Sequence, residues 1–214
     1  MEAVYLYNLA VGSGAVMITL FHHPKTRSTR FIFLLEEFGV PYEIRRVEVR
    51  KRDGSGAVDP RNPHPHGKVP AISDDGTVVF ESSAIVLYLT DRFADRGLGP
   101  LVGELDRAPY LSWLAYYSGV LEPAFVSKFL KVAVPRGTAG WVDVDETVPT
   151  LITLLSRGPY LLGERFSAAD VLYGTTLAMF RDTPLMERNA VIDAYADRVV
   201  NRPAFQRALA LDGT

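Results

Sequence analysis

Glu81-Ser82-Ser83 places one acid and two hydroxyls where a β-prone run gives way to helical spacing. A helix start offers unpaired backbone N–H groups and a partial positive charge, which together can hold a carboxylate. Glu81, one residue earlier, sets a negative charge where an ammonium could bind. A carboxylate and an ammonium on neighbouring atoms are what the end of an α-amino acid presents. The same residues also fit a plain strand–turn–helix corner with an ordinary cap and a solvated glutamate.

The elements that would position these groups lie in the stretch from His66 to Leu89. Lys68-Val69-Pro70 leads into a short apolar run, and Asp74-Asp75-Gly76 separates it from Val78-Val79-Phe80, which predicts a hairpin. Ile85, Tyr88 and Leu89 then recur at i, i+3 and i+4, so a helix follows, with Ser82 or Ser83 as its N-cap. Farther along, Ser167 and Asp170 have the spacing of a capping box, which satisfies orphan N–H groups at a helix start and is structural rather than catalytic.

The Lys68-Val69-Pro70 loop followed by Glu81-Ser82 resembles the glutathione-binding half of cytosolic glutathione transferases, and Ser167-Ala168-Ala169-Asp170 resembles the box that opens the core helix of their helical domain. The resemblance runs from about residue 17 to 211. It implies that Pro70 is cis and that Val69 pairs backbone-to-backbone with the cysteinyl unit of glutathione. It further implies that Glu81 and Ser82 hold the γ-glutamyl end, while Lys68 contacts the tripeptide backbone or its glycyl carboxylate.

Composition narrows the chemistry. The chain has 214 residues, 48% of them hydrophobic, enough for one large or two small domains with a sizeable core. A net charge of −2 gives no electrostatic footprint for nucleic acid. There is no cysteine, which excludes disulfides, thiolate metal sites and a cysteine nucleophile. The histidines fall in two groups, His22-His23 and His64/His66, without the spacing of a metal site on a helix, and read as loop residues. No run approaches the roughly 18 apolar residues of a membrane span. Residues 1–16 form an apolar, glycine-containing extension without the basic start of a signal peptide, so a cytoplasmic protein is expected.

The fold class expected is α/β plus all-α, a thioredoxin-like N-terminal domain of βαβ-ββα order followed by a helical bundle. Ile18–Phe21 forms a strand, a helix begins near Ser28 with Phe31, Leu34, Leu35 and Phe38 on one face, and Gly39 stops it. Residues 41–49 alternate as a second strand, parallel to the first because a helix crosses between them. Residues 50–65 should be irregular. This divides the chain into an extension at 1–16, a glutathione-binding domain at 17–95, a linker at 96–104 and an all-helical domain at 105–214. In the helical part Leu111, Leu114, Ser118 and Leu121 form one stripe, residues 144–155 form another helix, and the last helices run about 190–200 and 203–211.

The implied reaction needs glutathione's thiol as a thiolate. Lowering a thiol pKa from about 8.5 to about 6.5 takes roughly 2.7 kcal/mol of preference for the anion. One hydrogen bond to the charged sulfur, about 1.5–3 kcal/mol, with a helix start adding about 0.3–1, is sufficient. The family keeps its catalytic tyrosine, serine or cysteine where the first helix begins, but here Phe21-His22-His23 offers no tyrosine and Arg27 stands where a cysteine would align. The nearest hydroxyls are Ser28, the first choice, and Thr26, the second, which suggests a serine/threonine-like, bacterial-type member. Ser28 could instead serve only as a helix cap. An electrophile site is expected between the domains, with Tyr110, Trp113, Tyr116 and Tyr117 supplying aromatic surface and at most one of Tyr116 and Tyr117 facing it.

The activity implied is conjugation of the glutathione thiolate to a small apolar electrophile by a homodimer, with glutathione as co-substrate, no metal and no nucleic-acid or membrane partner. The alternatives are a non-catalytic glutathione-transferase-like binding protein, or a glutathione-dependent isomerase, peroxidase or dehalogenase using the same site.

Overall fold

The structure is a computed structural model, and it describes residues 17–213. The extension at 1–16 lies outside the described residues. The chain divides into two compact units, residues 17–88 with 203–213, and residues 89–202.

The first unit is built on four strands, β1 (Ile18–His22), β2 (Tyr42–Arg46), β3 (Ala71–Asp74) and β4 (Thr77–Phe80), in the order β2-β1-β3-β4. β1 and β2 run parallel, as the intervening helix requires, and β3 and β4 close the sheet antiparallel. The hairpin turns at Asp75 and Gly76, both left-handed, the backbone that an Asp-Gly pair supplies for a two-residue turn. Helix α1 (Thr29–Phe38) buries Phe31, Leu34, Leu35 and Phe38 as the spacing predicts. Gly39, at φ 61°, ends it by returning its N–H to the Leu35 carbonyl. Helix α2 (Ser82–Arg92) starts one residue after Glu81, whose carbonyl accepts the Ile85 N–H, so Glu81 rather than a serine flanks the helix.

The second unit holds α3 (Arg107–Tyr116), α4 (Glu122–Leu130), α5 (Val144–Leu155), α6 (Ala168–Phe180) and α7 (Ala190–Val200), with one π turn at Tyr117–Leu121 joining α3 to α4. The buried stripe of α3 and the π turn is Tyr110, Leu114, Tyr117 and Leu121, not the expected Leu111, Leu114, Ser118 and Leu121. Tyrosine wins these positions because each hydroxyl finds a partner inside: Tyr110 pairs with Thr90 at 2.7 Å, and Tyr117 pairs with Glu122 at 2.5 Å and Thr176 at 2.8 Å. Trp113 and Tyr116 are only half-buried and pack edge-on at 5.2 Å. Residues 97–106 form bends and turns within the second unit, and Gly99 among them is tightly held. A Cβ there would meet Thr90 Cγ2 at 2.6 Å, so only glycine fits.

The last helix, α8 (Pro203–Asp212), departs from the expected division. It packs with the first unit: Phe205 meets Phe33 edge-on at 5.3 Å and Arg207 reaches Glu36 at 2.5 Å. Its periodicity announced a helix but not which core it would cover.

Candidate functional site

Strand register gathers three loops at one end of the sheet. Phe21 of β1 pairs with Ala71 of β3, and Ala71 pairs with Phe80 of β4. The residues that follow Phe21, precede Ala71 and follow Phe80 therefore leave the sheet together. They are the 23–28 loop, Lys68-Val69-Pro70 and Glu81-Ser82. The Val69-Pro70 bond is cis, as the resemblance implied. Val69 packs on the small cluster of Phe21, Val47 and Ala71.

The approach to Pro70 is held by short-range hydrogen bonds. Asp59 accepts from the Arg61 guanidinium and from the Arg61 and Glu48 N–H groups, and the arginine holds its carboxyl well below the usual carboxylate range. Asn62 donates to the Lys68 carbonyl at 2.9 Å, which fixes the residue before Val69. The Lys68 side chain is exposed and Val69 is partly exposed.

Glu81 is exposed and sits at φ 70°. A non-glycine residue in the left-handed region costs on the order of 1–3 kcal/mol, and such strain collects at binding sites. His64 Nδ1 accepts the His66 N–H at 3.1 Å, which puts the proton on Nε2, 3.9 Å from Glu81 Oε1. Burial pushes the His64 imidazole below its ordinary value, against the pull of Glu81. The buried neutral imidazole therefore backs the Glu81 carboxylate without neutralising it.

The 23–28 loop is organised around His22, which is the last residue of β1 and fully buried, not a loop residue. Its Nε2 faces the Asp212 carbonyl at 3.3 Å and Asp212 Oδ1 at 3.5 Å, two acceptors, so Nε2 carries the proton. Nδ1 is then the acceptor for the Ser28 hydroxyl at 2.8 Å. Ser28 Oγ receives the His23 N–H at 3.2 Å and lies 2.7 Å from Thr26 Oγ1. Ser28 is fully buried and its side chain makes no capping bond. It is thus neither a simple helix cap nor open to a ligand in this arrangement. Thr26 is partly exposed, its Oγ1 donates to the His23 carbonyl at 2.7 Å, and it accepts the Ser28 N–H at 3.2 Å. A hydroxyl rotates freely enough to redirect that single proton.

Neither Asp212 nor His64 carried a local sequence signal. Asp212 lies 190 residues from His22, and only the return of α8 brings it there. His22 also sets a pH dependence. Burial, the dominant effect, pushes its imidazole below the ordinary 6.5, while Asp212 pulls it back less strongly. The folded state resists protonation that the unfolded chain accepts. This contribution is therefore complete above 6.5 and is lost as pH falls through the lower folded value. Denaturant melts from pH 7.5 to 5 should show stability declining on the acid side, and His22→Gln should flatten that decline.

Comparison with known proteins gives consistent matches. Residues 16–91 match the family described as Glutathione S-transferase, N-terminal domain, and residues 132–207 match Glutathione S-transferase, C-terminal domain. The chain is 29% identical to Glutathione S-transferase GstA of Escherichia coli O157:H7, over 91% of this chain and 98% of that protein. It is 26% identical to the disulfide-bond oxidoreductase YfcG of Escherichia coli K12, over 90% and 94%. Among solved structures, a sphingomonad glutathione S-transferase complexed with glutathione superposes with a TM-score of 0.71 at 29% identity, covering 91% of this chain and 98% of that one.

Proposed function

Because the chain belongs to the glutathione S-transferase family, we propose that it joins the glutathione thiolate to a small apolar electrophile, binding the tripeptide across the three loops at the end of its sheet. The convergence of Thr26, Val69-Pro70 and Glu81-Ser82 through the β1-β3-β4 register carries this reading. Glu81 takes the γ-glutamyl ammonium and Ser82, the first residue of α2, takes its carboxylate with the helix's free N–H groups. Val69 pairs with the cysteinyl backbone and Lys68 meets the glycyl carboxylate.

Thr26 is the hydroxyl that meets the sulfur. The burial of Ser28 reverses the order expected from the sequence: Ser28 supports Thr26 from behind rather than touching the thiolate. When the Thr26 proton turns from the His23 carbonyl to the sulfur, it supplies one hydrogen bond to an anion, about 1.5–3 kcal/mol. The thiolate then attacks the electrophilic carbon, the new C–S bond takes the sulfur's electron pair, and the leaving group departs with the displaced pair.

Thr26→Val keeps the shape and removes the donor. Its turnover of chlorodinitrobenzene at pH 6.5 should fall roughly ten- to a hundredfold, as loss of one such bond predicts, with the bound thiol titrating at higher pH. Unchanged rate and titration would remove Thr26 from this role. The name of one relative raises disulfide exchange as a second reading. With no cysteine in this chain, that reaction would need glutathione itself as the attacking thiolate, expelling a thiolate from the disulfide. A disulfide substrate run beside chlorodinitrobenzene separates the two.

A further inference from the structure

We propose that Asp212, at the end of the terminal helix α8, is a positioning residue for thiol activation, acting on the 23–28 loop directly and through His22. This rests on the glutathione reading above and assigns its geometry to a residue far from the three binding loops in sequence.

The carboxylate of Asp212 is divided between two sides of the loop. Oδ2 accepts the Lys25 N–H at 3.0 Å, and Oδ1 accepts the Thr29 hydroxyl in the first turn of α1. Lys25 stands at φ 58°, a left-handed backbone that an ordinary residue keeps only when its surroundings enforce it. Here the enforcing contact is the Asp212 carboxylate. The carbonyl of the same residue faces His22 Nε2 at 3.3 Å, which selects the tautomer whose Nδ1 takes the Ser28 proton. With its own proton committed to His22, Ser28 Oγ accepts the His23 N–H and does not donate to Thr26, whose proton stays on the His23 carbonyl.

One residue therefore fixes the turn before Thr26 and the proton order behind it. Arg46 of β2 anchors the end of α8, its guanidinium reaching the Leu211 and Asp212 carbonyls at 3.4 and 3.3 Å. The resemblance of Ser28, His22 and Asp212 to a hydrolytic triad does not extend to its function, because the serine is fully buried and offers no face to a substrate.

Asp212→Asn keeps the volume and replaces one acceptor oxygen by a donor that cannot serve both Lys25 and Thr29. Two readouts test it in the full-length protein. Hydrogen exchange at the Lys25 and Ser28 amides, measured without glutathione, should accelerate about tenfold or more in Asp212→Asn while amides in β3 stay unchanged. With glutathione, kcat for chlorodinitrobenzene should fall about tenfold, the bound thiol should titrate at higher pH, and the KM for glutathione should stay within about twofold. Thr29→Val, which removes only one donor and leaves the acid, should move all of these in the same direction by less, and it replaces Asp212→Asn if that variant does not fold. A merely structural role would lower thermal stability and leave the thiol titration and the kcat-to-KM split unmoved, which would overturn the proposal, as would unchanged loop exchange. If wild-type protein binds no glutathione, the glutathione reading fails, and the exchange data alone decide whether Asp212 holds the loop.

Discussion

Glu81→Ala should weaken glutathione binding by roughly ten- to a hundredfold while leaving the protein as stable as before or slightly more so. In the proposed binding mode Glu81 is the anion set against the γ-glutamyl ammonium, and its removal would cost a charge-assisted contact of about 1.5–3 kcal/mol. The absence of a stability cost follows from exposure: the Glu81 carboxylate is in solvent, and the neutral His64 imidazole behind it has its Nε2 3.9 Å away. Glu81→Gly sharpens the test. Glycine relieves the left-handed backbone at φ 70°, so it should melt higher than Glu81→Ala, which keeps a Cβ there, and yet bind glutathione no better. A titration that gave both variants wild-type affinity would remove Glu81 from the binding site. Ser82→Ala should show a smaller loss, because the α2 N–H groups proposed to share the carboxylate would remain.

Asp170→Ala should destabilise the second unit by about 3–5 kcal/mol, the largest stability loss expected from a single substitution here. The carboxylate is fully buried and takes four donors: the Ser167 N–H and hydroxyl at 2.8 Å, and the Leu161 N–H and Tyr195 hydroxyl at 2.9 Å. Burial pushes its pKa up while those bonds pull it down. Alanine strands these donors inside the core, at about 1–3 kcal/mol for each one left unsatisfied. Asp170→Asn keeps one acceptor oxygen and should lose about half as much. Denaturant unfolding of the three proteins checks the ranking, and an Asp170→Ala loss below about 1 kcal/mol would show that the box is dispensable. The Tyr195 bond extends the box from α6 to α7, so melting should be felt in both helices.

What the sequence disclosed and what it withheld divide by range. The hairpin at Asp75-Gly76, the stop at Gly39, the parallel β1-β2 pair and the Ser167–Asp170 box rest on a few adjacent residues or on one crossover rule, and each stands in the structure. The stripe of α3 departs from its leucine spacing because Tyr110 and Tyr117 bury their rings and satisfy their hydroxyls internally. The place of α8 is not legible locally, because an amphipathic period gives the buried face and not the partner. Asp212, and with it the reason Ser28 turns inward, is set by that long-range packing. A serine at a helix start reads as a cap or a nucleophile; His22 makes it neither. Among the described residues no helix is long and apolar enough to cross a membrane.

The proposed activity requires glutathione to bind as a thiolate at the end of the sheet. Calorimetric titration of the wild-type protein with glutathione at pH 6.5, repeated in buffers of different ionisation enthalpy, measures binding and proton release together. Saturable heat is expected below millimolar concentrations, its size changing with the buffer, because the thiol would give up its proton on binding. Absence of heat on a folded sample, or heat identical in every buffer, would contradict the proposed activity.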